Sequence, residues 1–182
     1  GEAVNFINRN NALGVLVTGN LSNHEWSRNS NTSVYYQPAN QYIKSLQVFN
    51  TVPRKRTNMN SNRNYRYTDT SGKEINFDAD YGLFRGKGNS YQPNYYLDKN
   101  GSQLYQVVNR NNTPIDIDIY TSKIDVELPK WKGKLGYGAK FAYVKTSNTF
   151  EFFNDINGAP VKLLSRSNSF TYQENVNAAY LN

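Results

Sequence analysis

Hydrophobic and polar residues alternate with a period of two along much of the chain. In the run from Glu74 to Phe84, Ile75, Phe77, Ala79, Tyr81 and Leu83 share one side of an extended backbone, and Asn76, Asp78 and Asp80 share the other. Successive side chains of a strand point to opposite faces, so this run predicts a strand between two different environments. A soluble sandwich contains such strands, and so does a barrel wall between lipid and water. The length leans toward the wall, because a tilted strand needs about 9–11 residues to cross a bilayer, against ~5–6 in a typical soluble strand.

The same pattern predicts the other elements. Leu13, Val15, Val17 and Leu21 are in phase before the pattern dissolves between Ser22 and Ser30, which predicts a strand running into a long polar loop. Asn31 to Gln37 and Ser45 to Thr51 read as two more strands about the Pro38-Ala39-Asn40 turn, the second closed by Pro53. Asn60 to Thr68 carries Arg63, Tyr65 and Tyr67 on one side, and Asp69-Thr70-Ser71-Gly72-Lys73 predicts a tight hairpin connection. Gly86 to Asn100 reads as a loop, and Leu104 to Asn109 and Ile115 to Leu128 as strands. In the last of these the phase changes from Ile115, Ile117 and Ile119 to Ile124, Val126 and Leu128, which predicts a β-bulge or twist near Tyr120 to Ser122. After a turn from Pro129 to Gly133, Leu135, Tyr137, Ala139, Phe141 and Tyr143 face away from Gly136, Gly138, Lys140 and Ala142. Asn154 to Pro160 separates Thr149 to Phe153 from a final alternating region holding Phe170, Tyr172, Val176, Ala178 and Tyr180. No window sustains a helical period with caps. The expected fold is all-β: an antiparallel meander or open barrel segment of about eight strands with long polar loops.

Composition sharpens this reading. Mean hydropathy is −0.78 and only 37% of residues are hydrophobic, with 15 Tyr and 9 Phe supplying much of that fraction. Aliphatic material for a conventional core is therefore thin, yet recurring aromatic and β-branched alternation argues against disorder. The chain has no cysteine, hence neither disulfides nor thiolate metal sites. No run of about 18 apolar residues could form a transmembrane helix, but a β-barrel leaves no such run. The net charge of +7 comes from scattered residues, with dense groups only at Arg54-Lys55-Arg56 and at Lys130, Lys132 and Lys134. Both groups lie beside Pro in turn-like sequence, which suits solvated or headgroup-facing loops and not a nucleic-acid partner.

Candidate chemistry is sparse. Asp78 with Asp80 and Asp116 with Asp118 are paired carboxylates, capable of acid–base work or of holding a hard cation such as calcium. Neither pair has a His or Glu at motif spacing, so lumen-facing solubilising charge is the expected role. His24, the only histidine, stands in a polar stretch without partners for a dyad or a metal site. Gly82 to Gly88 lacks the Walker spacing and a following helix. Trp26, Trp131 and the tyrosines suit either an aromatic belt with cross-strand pairs or stacking on sugar rings. Asn20, Asn31 and Asn100 begin glycosylation-like triplets of the kind an Asn-rich chain makes by chance. No catalytic, cofactor-binding or metal-binding residue is assigned, no enzymatic activity is expected, and substrate-binding residues stay unassigned.

Three pieces together resemble one family. Asn60 to Asp69, Gly72 and Ile75 to Tyr81, centred on Asp78-Ala79-Asp80-Tyr81, resemble a recurring hairpin in the barrel half of TonB-dependent outer-membrane receptors. Ser122-Lys123-Ile124-Asp125-Val126-Glu127-Leu128-Pro129, followed by Gly133 to Lys140, resembles the next hairpin. The run from Ser169 to Tyr180 is similar to the Phe-x-Tyr-x-Glu-x-x-x-Ala-Ala-Tyr strand of the same barrels. The resemblance implies that residues 1–182 are a single all-β segment of a larger outer-membrane β-barrel in a Gram-negative bacterium. That barrel would import a nutrient such as a glycan, siderophore or peptide. Its expected partners are outer-membrane lipid and TonB, the latter through an N-terminal part absent here together with the plug domain. Strands polar on both sides are expected to project above the bilayer. Open strand edges are expected to make the segment self-associate or curl tightly. The competing expectation is a secreted or surface-anchored all-β module binding glycans or proteins, with Trp26 as a stacking platform.

Overall fold

The computed structural model describes residues 2–156 and 158–182, so Asn157 of the expected Asn154 to Pro160 turn lies outside the described residues. Among the described residues, nine strands form one antiparallel sheet: β1 (Glu2–Asn8), β2 (Asn11–Tyr36), β3 (Gln41–Thr68), β4 (Glu74–Leu97), β5 (Gln103–Asn112), β6 (Ile115–Lys130), β7 (Gly133–Ile156), β8 (Ala159–Lys162) and β9 (Asn168–Leu181). Apart from two single 3₁₀ turns, Gln37–Ala39 and Leu164–Arg166, no helix interrupts them among the described residues. β5 and β6 pair with β4 in one register, shifted only between Tyr96 and Leu97 at its upper end, so they form one strand line broken at Thr113 and Pro114. β8 is a short flap on the upper end of β7. What remains is a meander in chain order, with β1 paired only to β2 and β9 only to β7 among the described residues.

The strands are much longer than their alternating patterns suggest. Ser22 to Ser30, expected as a loop, lies inside the 26-residue β2, paired residue for residue with β3. Asn31 to Tyr36 and Ser45 to Thr51 are the upper parts of β2 and β3, not separate strands, and Gln37 opens the 3₁₀ turn. Backbone ladder bonds form whether the side chains are polar or apolar, so a polar run long enough to pair on both flanks stays a strand. Pro53 does not close β3 but sits within it opposite Glu25, and the ladder toward β4 skips Val52 and Pro53, where a missing N–H is tolerated. Gly86 to Leu97, expected as a loop, continues β4.

Connections are short at one end of the sheet. Asp69 receives its side-chain bonds from the Ser71 and Lys73 amides, and Gly72 adopts φ +86°, as the predicted tight turn requires. The β6–β7 turn is only Trp131 and Lys132, with Trp131 at φ 52°. At the other end, long hairpins project.

The described residues form no conventional core. Val108 is the only buried hydrophobic residue among those described, and the accessible surface is 12771 Å², against about 9,000 Å² for a globular chain of this mass. A single-layer sheet of this kind is stable only if something else covers its faces.

Candidate membrane wall and lumen

The register lines up side chains across the sheet. One row reads Leu13, Tyr65, Phe77, Ile124, Ala139, Ala179, each opposite the next. The row one residue above it, on the opposite face, reads Gly14, Asn64, Asp78, Lys123, Lys140, Ala178. In this lower half, one face is therefore mainly apolar and exposed, with Phe77 41%, Ile124 40% and Phe141 55% accessible. Exposed contiguous apolar area of this extent marks a lipid or protein contact. We call this face outward and its opposite inward.

The inward face of the same rows is a polar lattice. Asp80 accepts from Asn62 Nδ2 and Thr121 Oγ1, each at 2.6 Å. Lys123 Nζ lies 2.7 Å from Asp125 Oδ2 and over the Tyr180 ring, and the Tyr180 hydroxyl donates to Asp125. Tyr180 lies over Gly138, its partner in the ladder, where a side chain would collide with the Ile124 carbonyl. Asp78 and Asp80 thus share the inward face, Asp80 held by hydrogen bonds and Asp78 directly opposite Lys123. No cluster of three potential metal ligands exists among the described residues.

At Tyr81, Tyr120 and Tyr143 the polarity inverts. These three tyrosines stand side by side on the outward face, with ring centroids 4.8 and 6.1 Å apart. Below them that face is mainly apolar, its polar members Arg63, Ser122 and Asn177 sharing the row of Ala79 and Phe141. Above them it carries Arg85, whose Nη2 donates to Asp118 Oδ1 at 2.6 Å and whose Nε is 3.6 Å from Asp116. Tyr81 also donates to Asp118. Hydrogen bonds from Arg85, then from Tyr81, hold the Asp118 carboxyl below its ordinary range despite partial burial. The inward face changes in the opposite sense, from Thr121 to Ile119, Ile117 and Ile115.

Two expectations are corrected here. Both ladders of β6 are continuous, so no bulge occurs near Tyr120 to Ser122; the apolar stripe of β6 crosses from the inward to the outward face instead. Asp116 and Asp118 consequently lie on the outward face, opposite in sense to Asp78 and Asp80, and do not face the lumen. An aromatic row where an apolar band gives way to charge is the signature of a bilayer interface. Over residues 120–128 and 135–143, which end at the tyrosine row, and from Ile75 to Tyr81 beside them, the band is up to about nine residues tall, matching a hydrocarbon core crossed at a tilt.

Higher still, the sheet curls so that β2 and β8 approach the same groove on the outward face, of 860 Å³, lined by Pro53, Tyr91, Arg110, Phe153 and Pro160. Arg110 forks onto Asp155 through Nε at 2.9 Å and Nη2 at 2.6 Å, and lies 5.0 Å over the Tyr91 ring. That bidentate pair raises the guanidinium pKa and pins β5 to the top of β7.

The remaining candidates scatter. His24 and Trp26 lie in β2, and Arg54-Lys55-Arg56 lies in mid-strand in β3, not in a turn. Lys134 pairs with Glu127 at 2.9 Å beside the β6–β7 turn. Gly82 to Gly88 is strand, not loop. Asn20 and Asn31 are strand residues, while Asn100 is in the turn after β4. Trp131, 93% exposed, marks the short-turn end and lies under Lys130. The Arg85 cluster and the Arg110–Asp155 fork escaped the sequence reading because their partners are 33 and 45 residues apart.

Residues 66–182 match the family model described as outer membrane protein beta-barrel family. No curated protein matches the sequence.

Proposed function

Because the chain belongs to the outer membrane protein beta-barrel family and so resides in the outer membrane, we propose that it forms part of the wall of a TonB-dependent receptor that imports a nutrient. The observation that carries this reading is the two-faced band: apolar outward, hydrogen-bonded and charged inward, and ending at a tyrosine row. A wall of that kind separates lipid from a wet lumen. The three family-like segments support the finer identity, since they occupy neighbouring positions in β3–β4, β6–β7 and β9.

Outer-membrane barrels of this kind place short turns on the periplasmic side and long loops outside. The turns Asp69 to Lys73 and Trp131-Lys132 therefore mark the periplasmic end, and the hairpins about Gln37–Ala39 and Gly101 reach outward. β3, at 28 residues and about 3.3 Å per residue, far exceeds the ~25 Å apolar band and projects well above it. Counting β5 with β6 and setting β8 aside, nine strands reduce to seven lines, an odd number that leaves β1 and β9 running the same way. Antiparallel closure then takes at least one further strand. In this reading the wall performs no chemistry of its own; TonB acts through parts of the receptor outside residues 1–182. A secreted binding module fits less well, since it would need the core that is missing here.

Immunoblotting of fractionated cells tests the reading. A band in the outer membrane, several times heavier than 20.9 kDa and changing mobility on boiling, together with nutrient uptake lost on deletion of either this protein or TonB, is the expected result. Uptake unaffected by loss of TonB would leave the barrel but remove the receptor.

A further inference from the structure

Above the tyrosine row, the inward face gathers cations around an aromatic ring. His24 is opposite Arg54, and Arg54 opposite Gly88; Ser22 is opposite Arg56, and Arg56 opposite Gly86. Trp26, opposite Val52, stands on the same face two residues above His24. A cavity of 400 Å³ lies over this patch, bounded by Trp26, Arg54, Arg56 and Gly88 and floored by Phe84 and Ile115. The two glycines keep it open: a Cβ at Gly88 would meet Thr113 Oγ1 at 2.9 Å, and one at Gly86 would meet the Phe84 ring at 3.1 Å.

The charge here is uncompensated. Among the described residues, no carboxylate lines the cavity. Arg54 and Arg56 join no ion pair among the described residues, whereas Arg66, Arg85, Arg110, Lys123, Lys134 and Lys162 each hold a carboxylate. Lys55 and Lys87, directly opposite one another, add positive charge from the other face of the same strands. Like charges side by side in a sheet are destabilising, and guanidinium groups set about 7 Å apart along one strand face suit a multidentate anion.

We propose that this cradle, at the outer mouth of the lumen, binds an anionic organic solute: Arg54 and Arg56 take its carboxylate, sulfate or phosphate oxygens, and Trp26 stacks on its ring. The proposal rests on the transport reading and names the charge class of the substrate. Arginine forks match planar and tetrahedral oxyanions, and the indole face accepts an aromatic or sugar ring alongside them.

The test uses pyranine, a pyrene trisulfonate, followed by fluorescence anisotropy with the protein in neutral detergent. Saturable binding is expected, and R54Q/R56Q is expected to weaken it about ten-fold or more, as loss of charge-assisted hydrogen bonds implies. K130Q/K132Q, which removes the same charge at the periplasmic turn, should bind as the parent does, and W26L should weaken binding. Equal losses in the two glutamine pairs, or no saturation in the parent, overturn the proposal. If R54Q/R56Q loses its heat-modifiable band, R54K/R56K decides: weakened binding supports the forked contacts, and parental affinity overturns them. A chain that resides in the outer membrane yet fails to bind pyranine overturns this proposal alone. A chain that binds pyranine while uptake ignores TonB overturns the receptor reading alone.

Discussion

At the scale of single residues, two side chains hold the wall to its geometry. Gly138 lets the Tyr180 ring lie flat across the ladder, and a Cβ there would come within 2.6 Å of the Ile124 carbonyl oxygen. G138A should therefore lower the unfolding transition in detergent by about 1–3 kcal/mol, the usual cost of overpacking, and release Tyr180 from Asp125. Asp118 supplies a pH signature. Its folded pKa is depressed, so its contribution is present above the unfolded value near ~3.9 and is lost as pH falls through the lower folded value. The parent should be more stable than D118N at neutral pH, and denaturant titrations should show that gap closing below about pH 4. A gap independent of pH would place the effect in packing, not charge.

At the scale of elements, the face of β6 is the informative feature. Ile124 looks outward below the tyrosine row, whereas Ser147 looks outward above it. I124R places a cation in the apolar band and should cost about 2–4 kcal/mol, seen as reduced insertion into vesicles. S147R, on the same face but above the band, should insert as the parent does. Equal insertion of both variants would remove the band from its assigned depth. The phase change between Ile119 and Ile124 was legible in the sequence, but its cause was not. A bulge keeps one face apolar, whereas an unbroken ladder moves the stripe to the other face, and only the pairing of β4, β6 and β7 distinguishes them.

At the scale of the whole molecule, the edges govern behaviour. β9 is exposed along its whole length, and its outer side meets no other strand among the described residues. Unpaired edges template association. Sedimentation of residues 1–182 in detergent should show concentration-dependent association; a sharply monomeric species at all concentrations would mean that the sheet shields its edges by itself.

The alternating runs alone determined that the chain is all-β, that Ile75 to Leu83 and Leu135 to Tyr143 each divide two environments, and that Asp69 to Lys73 turns back on itself, because side-chain alternation and turn chemistry are local. Tertiary structure decided the lengths of β2, β3 and β4, because a polar segment becomes a strand only when a neighbour offers its own N–H and C=O groups. It also decided which face each aspartate pair occupies and which cations are left without a carboxylate. Those are matters of register across strands tens of residues apart, and register is fixed by pairing, which no local run of residues contains.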